Sequence, residues 1–179
     1  VEEAVARRRS VREFGPEVLG LQEIAQLLWA GQGITSPEGL RAAPSAGACY
    51  PLELYLLCEQ GIFRYGPKQH AIIKLGEADL RPALADAAYG QSFVAQAPIS
   101  LIFAAEYRRT SRRYGDRGIR YVHIDVGHAA ENVHLQAEAL GLASVPVGAF
   151  DDDAVARVLR LPADQKPIYI IPVGRAARG

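Results

Sequence analysis

Three separated stretches carry the residue types that could hold a ligand. The first reads Arg7, Arg8, Arg9, Ser10, Val11, Arg12, Glu13, Phe14. Guanidinium groups alternating with a hydroxyl, where the chain leaves a short helix, can surround a dianion with charge-assisted hydrogen bonds. The same cations can instead cap a helix C-terminus, where the helix dipole favours them. This stretch alone leaves both readings open. The second, 41–51, is a run of small residues bounded by prolines. Pro44, Ser45, Ala46, Gly47 and Ala48 form either a plain loop or a site that offers a hydroxyl and unshielded backbone N–H groups. The third, 143–150, contains Pro146, Val147, Gly148 and Ala149, side chains small enough to let a flat ligand approach the backbone. A phosphate for the first stretch and a flat ring for the other two describe a mononucleotide.

Other constellations give less. His128, Glu131 and His134 are spaced so that they can share a helix face. Glu131 and His134 make one E-x-x-H, whereas a dimetal bundle site needs two and further carboxylates. With no H-E-x-x-H present, a buried hydrogen-bonded network is the expected use of these groups, and no metal site is assigned. Gly31 and Gly33 open like a dinucleotide fingerprint, but Ser36 stands where its last glycine belongs, and the stretch follows a helix. Neither G-x-S-x-G nor a P-loop occurs.

The elements that must position these stretches follow from periodicity. The stretch 121–150 reads as a long helix, a glycine exit at Gly141 and a short strand. Val122, Val126, Ala129, Val133, Ala137 and Leu140 recur at helical spacing, and a second stripe (Ile124, Leu135, Leu142) predicts a central, largely buried helix. Strands are predicted at 52–58, 62–65, 70–75, 99–105 and 167–173, the third and second joined by the loop 66–69. Helices are predicted at 1–9, at 21–31 with Leu21, Ile24, Leu27, Leu28 and Trp29 inside, at 79–88 capped by Asp79, at 91–95, and at 151–159 capped by Asp151.

The chain has 179 residues, enough for one domain, 1–179, with a real core. Its 20 basic and 20 acidic residues balance, so no global field favours nucleic acid or an anionic membrane. Arginines and tyrosines interleave over 107–121, a composition compatible with RNA, but no recognition motif accompanies it. No apolar run is long enough for a membrane span and the N-terminus is acidic, so neither span nor signal peptide is expected. Cys49 and Cys58 make no disulfide framework, which predicts a reduced, cytoplasmic setting. Val1 at the start and the lack of methionine predict a trimmed or partial chain.

In their order, the motifs resemble the nitroreductase family, and within it the SagB-type dehydrogenase branch. The resemblance is carried by Arg8 to Phe14 (R-R-S-V-R-E-F), Leu27 to Ala30, Arg41 with 44–48 and Tyr50-Pro51, Phe63 to Tyr65, Tyr114 to Arg117, Tyr121, Gly127-His128, Leu140 to Leu142 and Gly148 to Phe150. It implies an α+β fold with a central, mostly antiparallel sheet flanked by helices, and a homodimer formed by exchange of extended segments. It also implies FMN at the subunit interface and NAD(P)H as a possible electron donor. By that resemblance Arg8, Ser10 and Arg12 hold the FMN phosphate and ribityl, with Arg9 adjacent. Pro44, Ser45, Ala46, Gly47 and Ala48 reach the partner subunit's flavin. Val147, Gly148 and Ala149, after Pro146, lie along the reactive ring, where backbone N–H groups stabilise negative charge. Arg175 is the candidate for a C-terminal basic residue on the phosphate, and Tyr114 for a proton-transferring group.

One departure has chemical weight. Azoline-oxidising relatives place a basic lysine before the tyrosine, where this chain has Arg113 before Tyr114. A guanidinium with a pKa above about 12 does not accept a proton at neutral pH. The expected function is therefore an FMN-dependent oxidoreductase moving two electrons between NAD(P)H or an organic substrate and a quinone, nitro compound or oxygen. The alternative is a non-catalytic flavin-binding scaffold in a peptide-modification complex.

Overall fold

The computed structural model describes residues 1–177. Its centre is set by two mostly apolar, buried strands, β1 (Leu52–Cys58) and β4 (Ile99–Ala105), paired antiparallel in register from Leu52 opposite Ala105 to Cys58 opposite Ile99. Strands β2 (Gly61–Gly66) and β3 (Ala71–Gly76) extend the sheet as a hairpin beyond β1. On the other side of β4 lies β6 (Lys166–Gly174), then the two-residue β5 (Ala143–Ser144). The order is β3-β2-β1-β4-β6-β5, with every pairing antiparallel.

Side-chain alternation along the strands sends alternate residues to opposite faces, and each face builds its own core. Leu54, Leu56, Leu101 and Phe103 face α2 (Leu21–Gln32) and α6 (Arg117–Ala139). Tyr55, Leu57, Ile102 and Ile170 face the short helices α3 (Arg81–Ala87) and α4 (Ser92–Gln96) and the capped helix α7 (Asp152–Leu159). A truncation such as Leu101→Ala in either core would cost about 2–5 kcal/mol.

Helix α6 spans 23 residues, a rod of about 35 Å. Val122, Val126, Ala129, Val133 and Ala137 form its buried stripe, as the spacing predicts. Gly31 of α2 lets the two helices meet closely, because a Cβ there would lie 3.1 Å from Val133 Cγ2 and 3.2 Å from Leu54 Cδ2. At the far end Gly141 takes φ 69°, the left-handed exit that glycine adopts most cheaply.

Several expectations are corrected. Helix α6 starts one turn before Tyr121, and the largely buried helix of the sequence reading is buried along one face only, with Ile124 46% exposed. Leu21 is exposed and Trp29 lies at the surface, so the buried face of α2 is carried by Leu27, Leu28 and Ala30. Asp79 does not cap α3 as its N-cap residue, which is Leu80, but accepts from the Arg81 backbone N–H at 3.1 Å and pairs with its guanidinium. The strand expected up to Phe150 stops at Ser144, with only an isolated bridge between Val147 and Ile170 beyond it. Pro146 has no N–H to give to a ladder, which explains the break.

Candidate active site

Helix α1 (Glu2–Arg7) ends before the arginine run does. Arg7 pairs with Glu3 one turn back, at 2.7 Å, and so takes the helix-end role. Arg8 has left the helix, with φ −47° and ψ 126°. The chain from Arg8 onward is then pinned along the β5 edge of the sheet. Ser10 bridges in parallel to Ser144, and the Val11 N–H donates to Ser144 O at 3.1 Å. Further on, Phe14 bridges to Ala176, and Gly15 N–H donates to Arg175 O at 2.9 Å. Residues 8–15 therefore behave as an added edge, fixed by backbone bonds on both sides of Arg12.

The parallel bridge between Ser10 and Ser144 starts the two segments side by side. Helix α4 joins them. The Arg12 guanidinium lies 5.8 Å from the Phe93 ring centroid, a cation–π distance, and Gln91 at the helix start donates to Ala149 O at 2.9 Å. Val147 is buried and exchanges both backbone hydrogen bonds with Ile170, at 2.7 and 3.0 Å. Gly148 and Ala149 are exposed, and among the described residues neither of their N–H groups has an acceptor. A Cβ on Gly148 would meet only Tyr169 Cε2, at 3.7 Å, so nothing inside the chain demands glycine there.

The cations of this edge are held to different degrees: Arg9 donates to Ala6 O at 3.0 Å and to Arg8 O at 2.7 Å, while Arg12 has no hydrogen-bond acceptor among the described residues. Arg9 and Arg12 have no carboxylate partner among the described residues, and Ser10 is exposed. Arg8 is held differently. Its Nη1 donates to His134 Nε2 at 3.3 Å, and its Nε lies 3.8 Å from the half-exposed Glu131 carboxylate. His134 is buried and hydrogen-bonded through Nδ1 to the Ser144 hydroxyl. Burial first, and the Arg8 charge second, push the His134 imidazole down to about 4, so it is neutral at physiological pH. The buried network expected around the helix histidines is thus built on His134. His128 is exposed, and no metal-holding cluster of His, Cys, Asp and Glu occurs among the described residues.

The 44–48 stretch sits elsewhere. It folds into a single 3-10 turn, Ala46–Ala48, with Gly47 at φ 58°, Ala48 at 52° and Tyr50 at 46°. Buried Asp125 of α6 clamps it, accepting from the Ser45 hydroxyl at 2.6 Å and the Ala46 N–H at 3.2 Å. Ser45 Oγ also accepts from Tyr50 N–H at 3.0 Å, so its hydroxyl is used by the fold. Arg113 of α5 (Arg108–Tyr114) donates to Gly47 O at 3.3 Å. Gly47 holds a left-handed φ that favours glycine, and a Cβ there would lie 2.5 Å from the Tyr114 hydroxyl and 2.9 Å from Arg113 Nη1. Tyr114 itself packs edge-on against Tyr121, 5.1 Å between centroids. Asp125 and His134 are separated by about 13 Å of helix rise, so within one chain this loop does not join the arginine edge.

Arg175 forms a 2.5 Å ion pair with Glu23 of α2. Among the residues sequence reasoning did not single out, Asp125, Gln91, Phe93 and Ser144 each fix a candidate residue from a distant segment. No local pattern marks them.

The architecture and this edge define a class. Residues 5–175 match the nitroreductase family, and the chain belongs to it. That membership makes it a flavin-dependent oxidoreductase. It is 45% identical over 98% of its length to a Methanocaldococcus jannaschii protein named as a nitroreductase, of which it covers 90%. It superposes on a crystal structure from Ralstonia eutropha, also named as a nitroreductase, with a TM-score of 0.89 and 31% identity, covering 98% of this chain and 82% of that one. A Bacillus subtilis protein named FMN reductase [NAD(P)H] is 23% identical over 94% of the chain, which spans 63% of that relative's length. Among the described residues no helix is long and apolar enough to cross a membrane.

Proposed function

We propose that the chain is one FMN-binding unit of the SagB-type branch, an oxidoreductase moving two electrons from NAD(P)H or an organic substrate to a quinone, nitro compound or oxygen. The reading rests on one observation above the others. Along a single sheet edge, the Arg12 guanidinium, the exposed Ser10 hydroxyl and the backbone N–H groups of Gly148 and Ala149 have no hydrogen-bond partner among the described residues. That donor set fits a phosphate and a flat ring whose nitrogen and oxygen atoms accept hydrogen bonds. Arg8, Ser10 and Arg12, with Arg9 adjacent, would hold the phosphate and ribityl, and Val147, Gly148 and Ala149 would face the ring.

FMN, when bound, supplies reversible two-electron transfer. The chain supplies position and field. Fixed N–H dipoles at 148 and 149 favour negative charge on whatever lies against them. Pro44, Ser45, Ala46, Gly47 and Ala48 would reach the site from the partner of a homodimer built by exchange of extended segments, bringing Tyr114 with them as the candidate proton-transferring group. Arg113, charged and hydrogen-bonded to Gly47 O, serves that loop's shape and not as a base. Arg175, engaged by Glu23, stays outside the proposed phosphate set.

The test is anaerobic rapid mixing of the FMN-loaded protein with NADH and with NADPH, followed by a quinone. Bleaching of the flavin absorbance by at least one nicotinamide, then recolouring by the quinone, is the expected result. A protein that holds FMN yet is reduced by neither would be the scaffold instead.

A further inference from the structure

We infer that His134 is a positioning residue for Arg8: a buried neutral imidazole that aims the guanidinium at its anion without neutralising it. The inference rests on the proposed phosphate role of Arg8, and concerns how that role is built.

The tautomer follows from hydrogen-bond chemistry. A guanidinium only donates, so His134 Nε2, 3.3 Å from Arg8 Nη1, must be the unprotonated nitrogen. Nδ1 then carries the hydrogen and donates it to the Ser144 hydroxyl. Ser144 is buried, and its backbone O accepts the Val11 N–H at 3.1 Å. One residue of β5 thus fixes the backbone of the arginine run directly and the Arg8 guanidinium through His134. Arg8, His134, Ser144 and Val11 close a ring of contacts between segments far apart in sequence.

The choice of imidazole has electrostatic consequences. A carboxylate in its place would orient Arg8 equally well, but it would cancel the charge and compete with an anionic ligand for the same donors. A protonated imidazole would repel Arg8 and offer it no acceptor. Burial of His134 keeps the neutral form. Glu131, the other group near Arg8, is 53% exposed and 3.8 Å away, so solvent screens much of its pull. The remaining guanidinium N–H groups of Arg8 keep most of their charge for a ligand.

The test compares binding of FMN and of riboflavin, which lacks the phosphate, to apo-protein by quenching of flavin fluorescence. Wild type should prefer FMN. His134→Phe, which keeps the ring but removes the acceptor, should lower that preference about tenfold. His134→Gln, whose amide oxygen can still accept from Arg8, should recover most of it. In an Arg8→Ala background, His134→Phe should change the preference no further. If His134→Phe weakens FMN and riboflavin equally, or adds fully to Arg8→Ala, the positioning role is overturned while the FMN reading stands. If wild type itself shows no preference for FMN, the phosphate clamp falls, and the role with it. Imidazole nitrogen shifts read the tautomer without any ligand and need only wild type and Arg8→Ala. An unprotonated Nε2 that shifts on loss of Arg8 is expected, and an Nε2–H tautomer would overturn the inference.

Discussion

The two halves of α6 treat polar groups in opposite ways. Toward its C-terminus, His134 and Ser144 hold the arginine edge with neutral groups, leaving the Ser10 hydroxyl, the Arg12 guanidinium and the N–H groups of 148 and 149 without hydrogen-bond partners among the described residues. Toward its N-terminus, Asp125 takes up the Ser45 hydroxyl and Ala46 N–H, and Arg113 takes up Gly47 O. The first region is electrostatically open, the second closed on itself. The difference suggests two ways of meeting a ligand. One region offers charge and hydrogen bonds, while the other offers a rigid small-residue surface whose polar atoms have already been spent on holding its shape.

The largest effect that sharpens this contrast is expected at Asp125. Asp125→Ala removes the acceptor for a hydroxyl and a backbone N–H, and should cost about 3 kcal/mol in urea unfolding. A loss below about 1 kcal/mol would mean the loop is not held from α6.

Next in size is a pH dependence from the opposite half. His134 titrates near 6.5 unfolded but only at about 4 folded, so the unfolded chain binds more protons between those values. Stability should therefore fall as pH drops through that window, by about 3 kcal/mol at most from this group. His134→Gln should flatten that part of a melting-temperature profile, and an unchanged slope would place the titration elsewhere.

Smaller in stability but sharp in function is Gly148→Val. The space at Gly148 is open within the chain, so folding should be nearly unaffected while FMN affinity drops about tenfold or more. Equal loss of stability and affinity would show that the glycine serves the fold. Smallest is Arg175→Ala, which breaks a partly exposed pair with Glu23. It should cost about 0.5 kcal/mol and leave FMN affinity within about twofold.

What could be read in the sequence follows the same division between local and distant. Strands β1 and β4 match their predicted bounds because a dense apolar run, broken only by Glu53 in β1 and Ser100 in β4, leaves few alternatives for a buried strand. The start of α6 was not legible, since Arg117 and Arg120 give its first turn no apolar rhythm. The strand break at Pro146 was legible in principle from the missing N–H. The candidate residues stand in motifs that sequence can show, but the groups that hold them do not. Arg8 and His134 are 126 residues apart, and Ser45 and Asp125 are 80 apart. Contacts at such separations leave no periodic trace, so the partners emerge only once the sheet edge and α6 are in place. His134 was readable as part of a buried network, but not as the acceptor for Arg8.

The most direct measurement is a crystal structure of the protein with FMN. The account predicts the phosphate within hydrogen-bonding distance of Arg8 and Ser10, and the ring against Gly148 and Ala149. Flavin bound elsewhere, for example in the apolar groove between Trp29 and Leu135, with the arginine edge bare, would contradict it.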